Sequence, residues 1–205
     1  NSITVAADTS GAIDTNGHNS AVDSVLQGVA SSTFVKKGEG TLTLQADNSS
    51  FAGGVTVEKG TLAITQDNNL GSANSILALN GGVLDIGADL TLAHAISIGA
   101  TEGIIKTNST VDITQSVGGT GQLVLEGGRF TLTGTNTQLG GTKVLNSTLT
   151  VGSDANLGAV DAGVLTLENG TLQATGDIVA KRNVVLNGTI NTLNTNVNAV
   201  TLNGS

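Results

Sequence analysis

The sequence predicts an all-β chain folded as a parallel β-helix, a β-solenoid, and three observations carry the prediction. Apolar residues alternate with polar ones in short runs, the two-residue period of a strand with one buried face. Gly, Asn, Ser and Thr separate the runs, often as Asn-Gly pairs such as Asn80-Gly81 and Asn169-Gly170, which suit tight turns. The chain also copies itself. GEGTLTL at 38–44 returns as GTGQLVL at 119–125, GGVTVEKGTLAI at 53–64 as GGTKVLNSTLTV at 140–151, DNNLG at 67–71 as DANLG at 154–158, and LNGGVLDI at 79–86 as LENGTLQA at 167–174, at offsets of 81, 87, 87 and 88. Matched blocks in one order mark a repeat array.

Taken in order, the first copy gives strands at Thr41–Leu44, Val55–Val57, Thr61–Ile64, Ile76–Leu79, Val83–Ile86 and Leu90–Leu92. The second gives Leu123–Leu125, Phe130–Leu132, Leu149–Val151, Leu165–Leu167, Val184–Leu186 and Val200–Leu202. Leu and Val are expected to point inward, with Thr, Ala or Asp outward. No dozen residues hold a helical apolar spacing, and the best helical candidate is Asn19 to Gln27. Strands this short need neighbours above and below. Propeller blades would carry aromatic signatures, and sandwich strands run longer without internal copies. Rungs of roughly 20 residues would fit several to each copy, with like side chains stacked about 4.8 Å apart. Corner asparagines are expected to pair with the asparagine above, and Phe51, aligned with Leu139, belongs in the core.

Composition narrows the function. The 205 residues are 38% apolar, with 29 Gly, no Trp, Tyr, Met, Cys or Pro, and only Phe34, Phe51 and Phe130 as aromatics. Aliphatic packing must build the core. A net charge of −8, with only eight Lys and Arg, argues against a nucleic-acid or anionic-membrane partner. Without cysteine there is no disulfide, thiolate metal site or thiol catalysis. No apolar run is long enough to span a bilayer, and no export signal is evident, so any signal or anchor is expected outside residues 1–205.

The block GEGTLTLQADNSSFAGGVTVEKGTLAI at 38–64 closely resembles the passenger-associated transport repeat of bacterial autotransporters, the type V secretion proteins. Asn48 takes its loop position, Gly53-Gly54 its paired glycines and Gly60-Thr61-Leu62 its closing step. In the second copy the run is Gly121-Gln122-Leu123-Val124-Leu125, and Asn146-Ser147 replaces the glycine before Thr148-Leu149. GAIDTNG at 11–17, GIIKTNS at 103–109 and GTINTLN at 188–194 look like the segment that precedes such repeats. The resemblance implies a right-handed β-helical passenger at the bacterial surface or secreted, with a translocator β-barrel outside this segment. The chain then reads as a single β-helical segment, with repeat-like units at about 11–102 and 103–187 and a partial unit at 188–205.

No residue is assigned a catalytic, cofactor-binding or metal-binding role, and no cofactor is expected. His18 and His94 lack HxxxH or HExxH spacing and read as turn or rung residues. No GxSxG elbow supports a serine nucleophile. Asp85 with Asp89, and Asp154 with Asp161, are the carboxylate pairs that a polysaccharide-cleaving β-helix would need, but no Trp or Tyr is present to stack on sugar rings. Asp67 and Asp154 read as a recurrent side-chain-to-backbone turn. Interrupted Thr-x-Thr patterns disfavour an ice-binding face, and the sequons at Asn48, Asn108, Asn146 and Asn187 are uninformative in so Asn-rich a chain. The expected role is a non-catalytic adhesin or stalk; self-association into aggregates or fibres is the alternative, and a polysaccharide-acting enzyme the third. Its partner would be a host-cell or extracellular surface ligand, or itself. Gly17 to Thr33 and Glu126 to Arg129, read as loops differing between the copies, are the contact candidates.

Overall fold

The computed structural model describes residues 1–204. Every strand pairing in it is parallel, and the chain winds through about ten turns. Leu42, Leu62, Leu84, Ile105, Leu125, Val144, Leu167 and Leu186 follow one another in register, so a turn consumes 19 to 23 residues. All but Leu186 are buried, forming one column of a continuous aliphatic core. The two-residue period explains this: within Thr41–Leu44 or Thr61–Ile64 every second side chain is sealed inside and the others line the outer surface. Near the C-terminus the inward row opens, with Leu186, Ile190, Leu193 and Leu202 exposed.

One face is a six-strand sheet through Ser10–Asp14, Thr33–Lys37, Gly54–Val57, Ile76–Leu79, Ala95–Ile98 and Val117–Gly119. The thirteen-strand sheet supplies two more faces, because strands Glu102–Ile113 and Gln122–Leu132 each turn a corner and pair on both sides of it. Their register shifts between Thr107 and Thr110, opposite Gly127 and Gly128. Gly127 has φ +76, and a Cβ there would strike the Thr107 carbonyl. Thus Glu126 to Arg129 is not an inserted loop: it is the bend of a continuous strand.

Two other expectations are corrected. Asn19 to Gln27 is not helical but contains strands Ser20–Val22 and Val25–Gln27. Val22 and Leu26 are buried four residues apart, a helix-like spacing produced by a sharp corner between strands on different faces. The supposed Gly17 to Thr33 loop is therefore not a single loop: it carries these two strands and ends at the first residue of Thr33–Lys37. Phe51 is fully buried, yet Leu139 is half exposed. The structural counterpart of Phe51 is Gln138: Ser72 N–H donates to the Phe51 carbonyl as Ala159 N–H does to that of Gln138, and Gly71 packs on Phe51 as Gly158 packs on Gln138.

Candidate functional site

The corners hold the chain's polar chemistry, and two buried asparagines stitch one corner in each copy. Leu26 N–H donates to Asn48 Oδ1 (2.7 Å), and Asn48 Nδ2 donates to the Asn69 carbonyl (2.7 Å). Asn69 returns the bond, with Nδ2 donating to the Ala46 carbonyl (2.9 Å) while its Oδ1 accepts Thr65 and Gln66 N–H. The second copy repeats this. Val117 N–H donates to Asn136 Oδ1 (2.8 Å), Asn136 Nδ2 donates to the Asn156 carbonyl, and Asn156 Nδ2 to the Gly134 carbonyl (2.9 Å). Each side chain satisfies backbone groups of its own or an adjacent turn that the corner removes from the sheet ladders. The expected amide-over-amide pairing is thus replaced by amide-to-backbone bonds; Asn169 Nδ2 donating to Asn146 Oδ1 (3.3 Å) is a side-chain pair of the expected kind.

Beside this stitch lies a carboxylate clamp. Asp67 and Asp154 each begin a single 3-10 turn, Asp67–Leu70 and Asp154–Leu157. Asp67 Oδ1 accepts Ala93 N–H (3.0 Å) and lies 2.9 Å from His94 Nδ1. Asp154 Oδ1 accepts Arg182 Nε–H (2.7 Å), while the guanidinium also donates to the carbonyls of Asp154, Leu157 and Gly158. His94 and Arg182 are equivalent across the repeat, and both are buried. The second-copy corner is the more polar one, with Gln138 Nε2 donating to Thr142 Oγ1 and that hydroxyl donating to the Leu157 carbonyl.

A buried ammonium, that of Lys36, stands at the corner after Thr33–Lys37. Phe34 and Lys36 both face inward by the strand period, and Lys36 lies between Ile13 and Val57 in register. Its Nζ donates to the carbonyls of Lys37 (2.8 Å), Gly38 (2.6 Å) and Lys59 (3.0 Å). Burial pulls the ammonium below the ordinary lysine value, against the opposing pull of Asp14 and Glu39. Outside it lies an open groove of ≈ 620 Å³ at Asp14, Asn16, Lys37, Glu39, Glu58 and Lys59. Lys37 pairs with Glu58 (3.5 Å) and Lys59 with Glu39 (3.1 Å), exposed contacts that add little stability.

The acid pairs singled out from sequence are not brought together. Asp85 stands in an outward row beside Lys106, and Asp89 Oδ1 accepts Thr110 N–H (2.7 Å). Asp154 is buried against Arg182, whereas Asp161 is exposed. His18 is exposed at a turn, remote in role from buried His94. Among the described residues, no three His, Asp or Glu side chains converge in a way that could hold a metal ion. The buried roles of Lys36, His94 and Arg182 were not anticipated. The signals existed: Lys36 shares the parity of Phe34, and His94 and Arg182 are 88 residues apart, matching the repeat offset.

The passenger-associated-transport-repeat family model matches residues 34–64, the stretch from Phe34 through the Lys36 cage and the Asn48 stitch to Ile64. The chain is also 32% identical to the adhesin BmaC autotransporter of Brucella suis biovar 1 (strain 1330), over an alignment of 202 positions covering 87% of this chain. The chain carries an autotransporter passenger repeat. It spans only about 6% of the length of that relative. No solved structure matches it. The repeat and this relative place the segment at the cell surface or among secreted proteins.

Proposed function

We propose that this passenger segment is a non-catalytic adhesive stalk that presents its outer faces to a host-cell or extracellular surface ligand. One observation carries the reading: the buried Lys36, His94, Asp154 and Arg182 side chains each hold other parts of the fold. Lys36, Asp154 and Arg182 bind backbone or one another, and His94 binds Asp67, rather than framing a reactive cleft. The similarity to a protein named as an adhesin supports the same role. On this reading the whole chain acts as one β-helical segment, with repeat-like units at about 11–102 and 103–187 and a partial unit at 188–205, and its translocator barrel is encoded elsewhere.

Beads coated with the purified chain test the proposal on cultured animal cells and on extracellular-matrix proteins. Saturable attachment that soluble chain competes away is the expected result. Attachment no greater than that of uncoated beads would remove the adhesive half of the proposal and leave a spacer.

A further inference from the structure

Asn-Gly junctions at the corners of the stack differ in what holds the glycine N–H. Gly17 N–H donates to the Glu39 carbonyl (2.8 Å), and the N–H of buried Gly170 donates to Asn191 Oδ1 (3.1 Å). The Asn169 carboxamide is itself engaged, with Nδ2 donating to Asn146 Oδ1 and Oδ1 accepting Thr189 N–H (2.7 Å). Asn80-Gly81 is the opposite case. Both residues are exposed, and among the described residues neither the Gly81 N–H nor the Asn80 carboxamide has a hydrogen-bond partner. Asn187-Gly188 shares these features.

The corner keeps the Asn80 junction open. Gly81 holds φ +99, a conformation that side chains oppose, so glycine is required after Asn80. In the next turn Gly99 leaves room for the carboxamide: an added Cβ there would come within 2.6 Å of Asn80 Oδ1 and 3.3 Å of Cγ. The Gly81 nitrogen therefore has no β-carbon on its own residue and no acceptor to give up before it reaches Asn80 Cγ.

We propose that Asn80-Gly81 is a site of self-modification. The Gly81 nitrogen, losing its proton to solvent, attacks Asn80 Cγ; the bond from Cγ to Nδ2 breaks, ammonia leaves and a succinimide ring closes. Water then opens the ring at either carbonyl, giving aspartate or isoaspartate at position 80, so the net change consumes one water and releases one ammonia. The row it joins gives the change its consequence. Asp14, Lys37, Glu58, Asn80 and Gly99 follow one another in register, and the first three line the charged groove. A carboxylate at position 80 stands one strand spacing, about 4.8 Å, from Glu58, which already pairs with Lys37 (3.5 Å). Like charges side by side repel, and the rim of the groove gains negative charge as the molecule ages. An acid fits such a corner: the second copy has Glu168 at the matching place, paired with Lys143 (2.7 Å). The proposal does not depend on the adhesive reading.

Purified chain incubated at mildly alkaline pH and body temperature is mapped by peptide mass spectrometry, which reads the amide-to-acid change at each junction. Attack by Gly17 or Gly170 must first break a hydrogen bond, so Asn80 and Asn187 are expected to convert about tenfold faster than Asn16 and Asn169 in the folded chain. Once urea unfolds the chain, all four should convert at similar rates. Asn80 converting no faster than Asn16 in the folded chain would overturn the proposal. So would the same ratio of rates in folded and unfolded chain, which would place the difference in local sequence rather than in the fold.

Discussion

Replacing Lys36 with Met keeps a side chain of similar reach in the core column while deleting the ammonium. Three bonds to the carbonyls of Lys37, Gly38 and Lys59 disappear. Bonds from a charged donor contribute about 1.5–3 kcal/mol each. Against that gain stands the desolvation of a buried ammonium, an effective several kcal/mol, and its lowered affinity for a proton shows that the desolvation is not fully repaid. The exposed flanks of the corner also let water reach part of the cage after the substitution. The balance is a loss of about 2 kcal/mol for Lys36→Met, roughly a 30-fold shift in the opening equilibrium. Native-state hydrogen exchange reads it at Glu58 N–H, which donates to the Lys36 carbonyl, and at Thr61 N–H, which donates to that of Gly40. The pH dependence has a definite sign. Because the folded-state proton affinity is depressed, the unfolded chain binds more protons between the lowered value and 10.5, and stability rises with pH across that window. The wild-type advantage over Lys36→Met should therefore grow on going alkaline. A Met variant as slow to exchange as wild type at neutral pH would refute the reasoning, by showing that desolvation cancels the cage.

Other substitutions probe the remaining corners. Asn48→Ala orphans the buried Leu26 N–H and the Asn69 carbonyl and should cost about 2–4 kcal/mol in chemical denaturation; Asn136→Ala should cost the same, because its bonds are the same. Arg182→Ala leaves the Asp154 carboxylate without its cation and should cost about 3–5 kcal/mol, read as a lower denaturation midpoint. Arg182→Lys should recover only part of this, since one ammonium cannot reach the carboxylate and all three carbonyls that the guanidinium fork serves. Gly121→Ala drives a methyl group into the Thr101 carbonyl of the preceding turn and should lower soluble yield and thermal midpoint more than Gly17→Ala, where a Cβ meets nothing and only the positive φ opposes it.

The strands were legible because their period is short and the solvent enforces it. Thr41–Leu44 and Thr61–Ile64 alternate without exception, since a shift by one residue would expose every leucine. The recurrence of DNNLG as DANLG likewise marked a turn in each copy, although Asp67 and Asp154 do not bond their own turn but reach Ala93 and His94, and Arg182, farther along the chain. Corners were harder to read. Val22 and Leu26 mimic a helical face because a two-residue corner reorients the chain between faces. Glu126 to Arg129 looked like an insertion because the glycines that bend a strand are also those that end one. Gln138 escaped notice because aligning Phe51 with Leu139 preserved hydrophobicity, whereas the corner had lost one residue and kept the shape with a polar amide. Lys36 was masked by its neighbour: a Lys-Lys pair suggests two solvated charges, and only strand parity separates exposed Lys37 from buried Lys36.

The central claim is an in-register stack of turns along one axis, and paired spin labels measure it directly. Thr43, Glu126 and Asn187 lie in one outward row, with Glu126 four turns from Thr43 and Asn187 seven turns from it. With cysteines introduced pairwise at these sites, the stack predicts backbone separations of about 19 Å for Thr43 to Glu126 and about 34 Å for Thr43 to Asn187, in proportion to the number of turns. Separations that fail to grow with turn number, or a Thr43 to Asn187 distance no longer than Thr43 to Glu126, would contradict the solenoid.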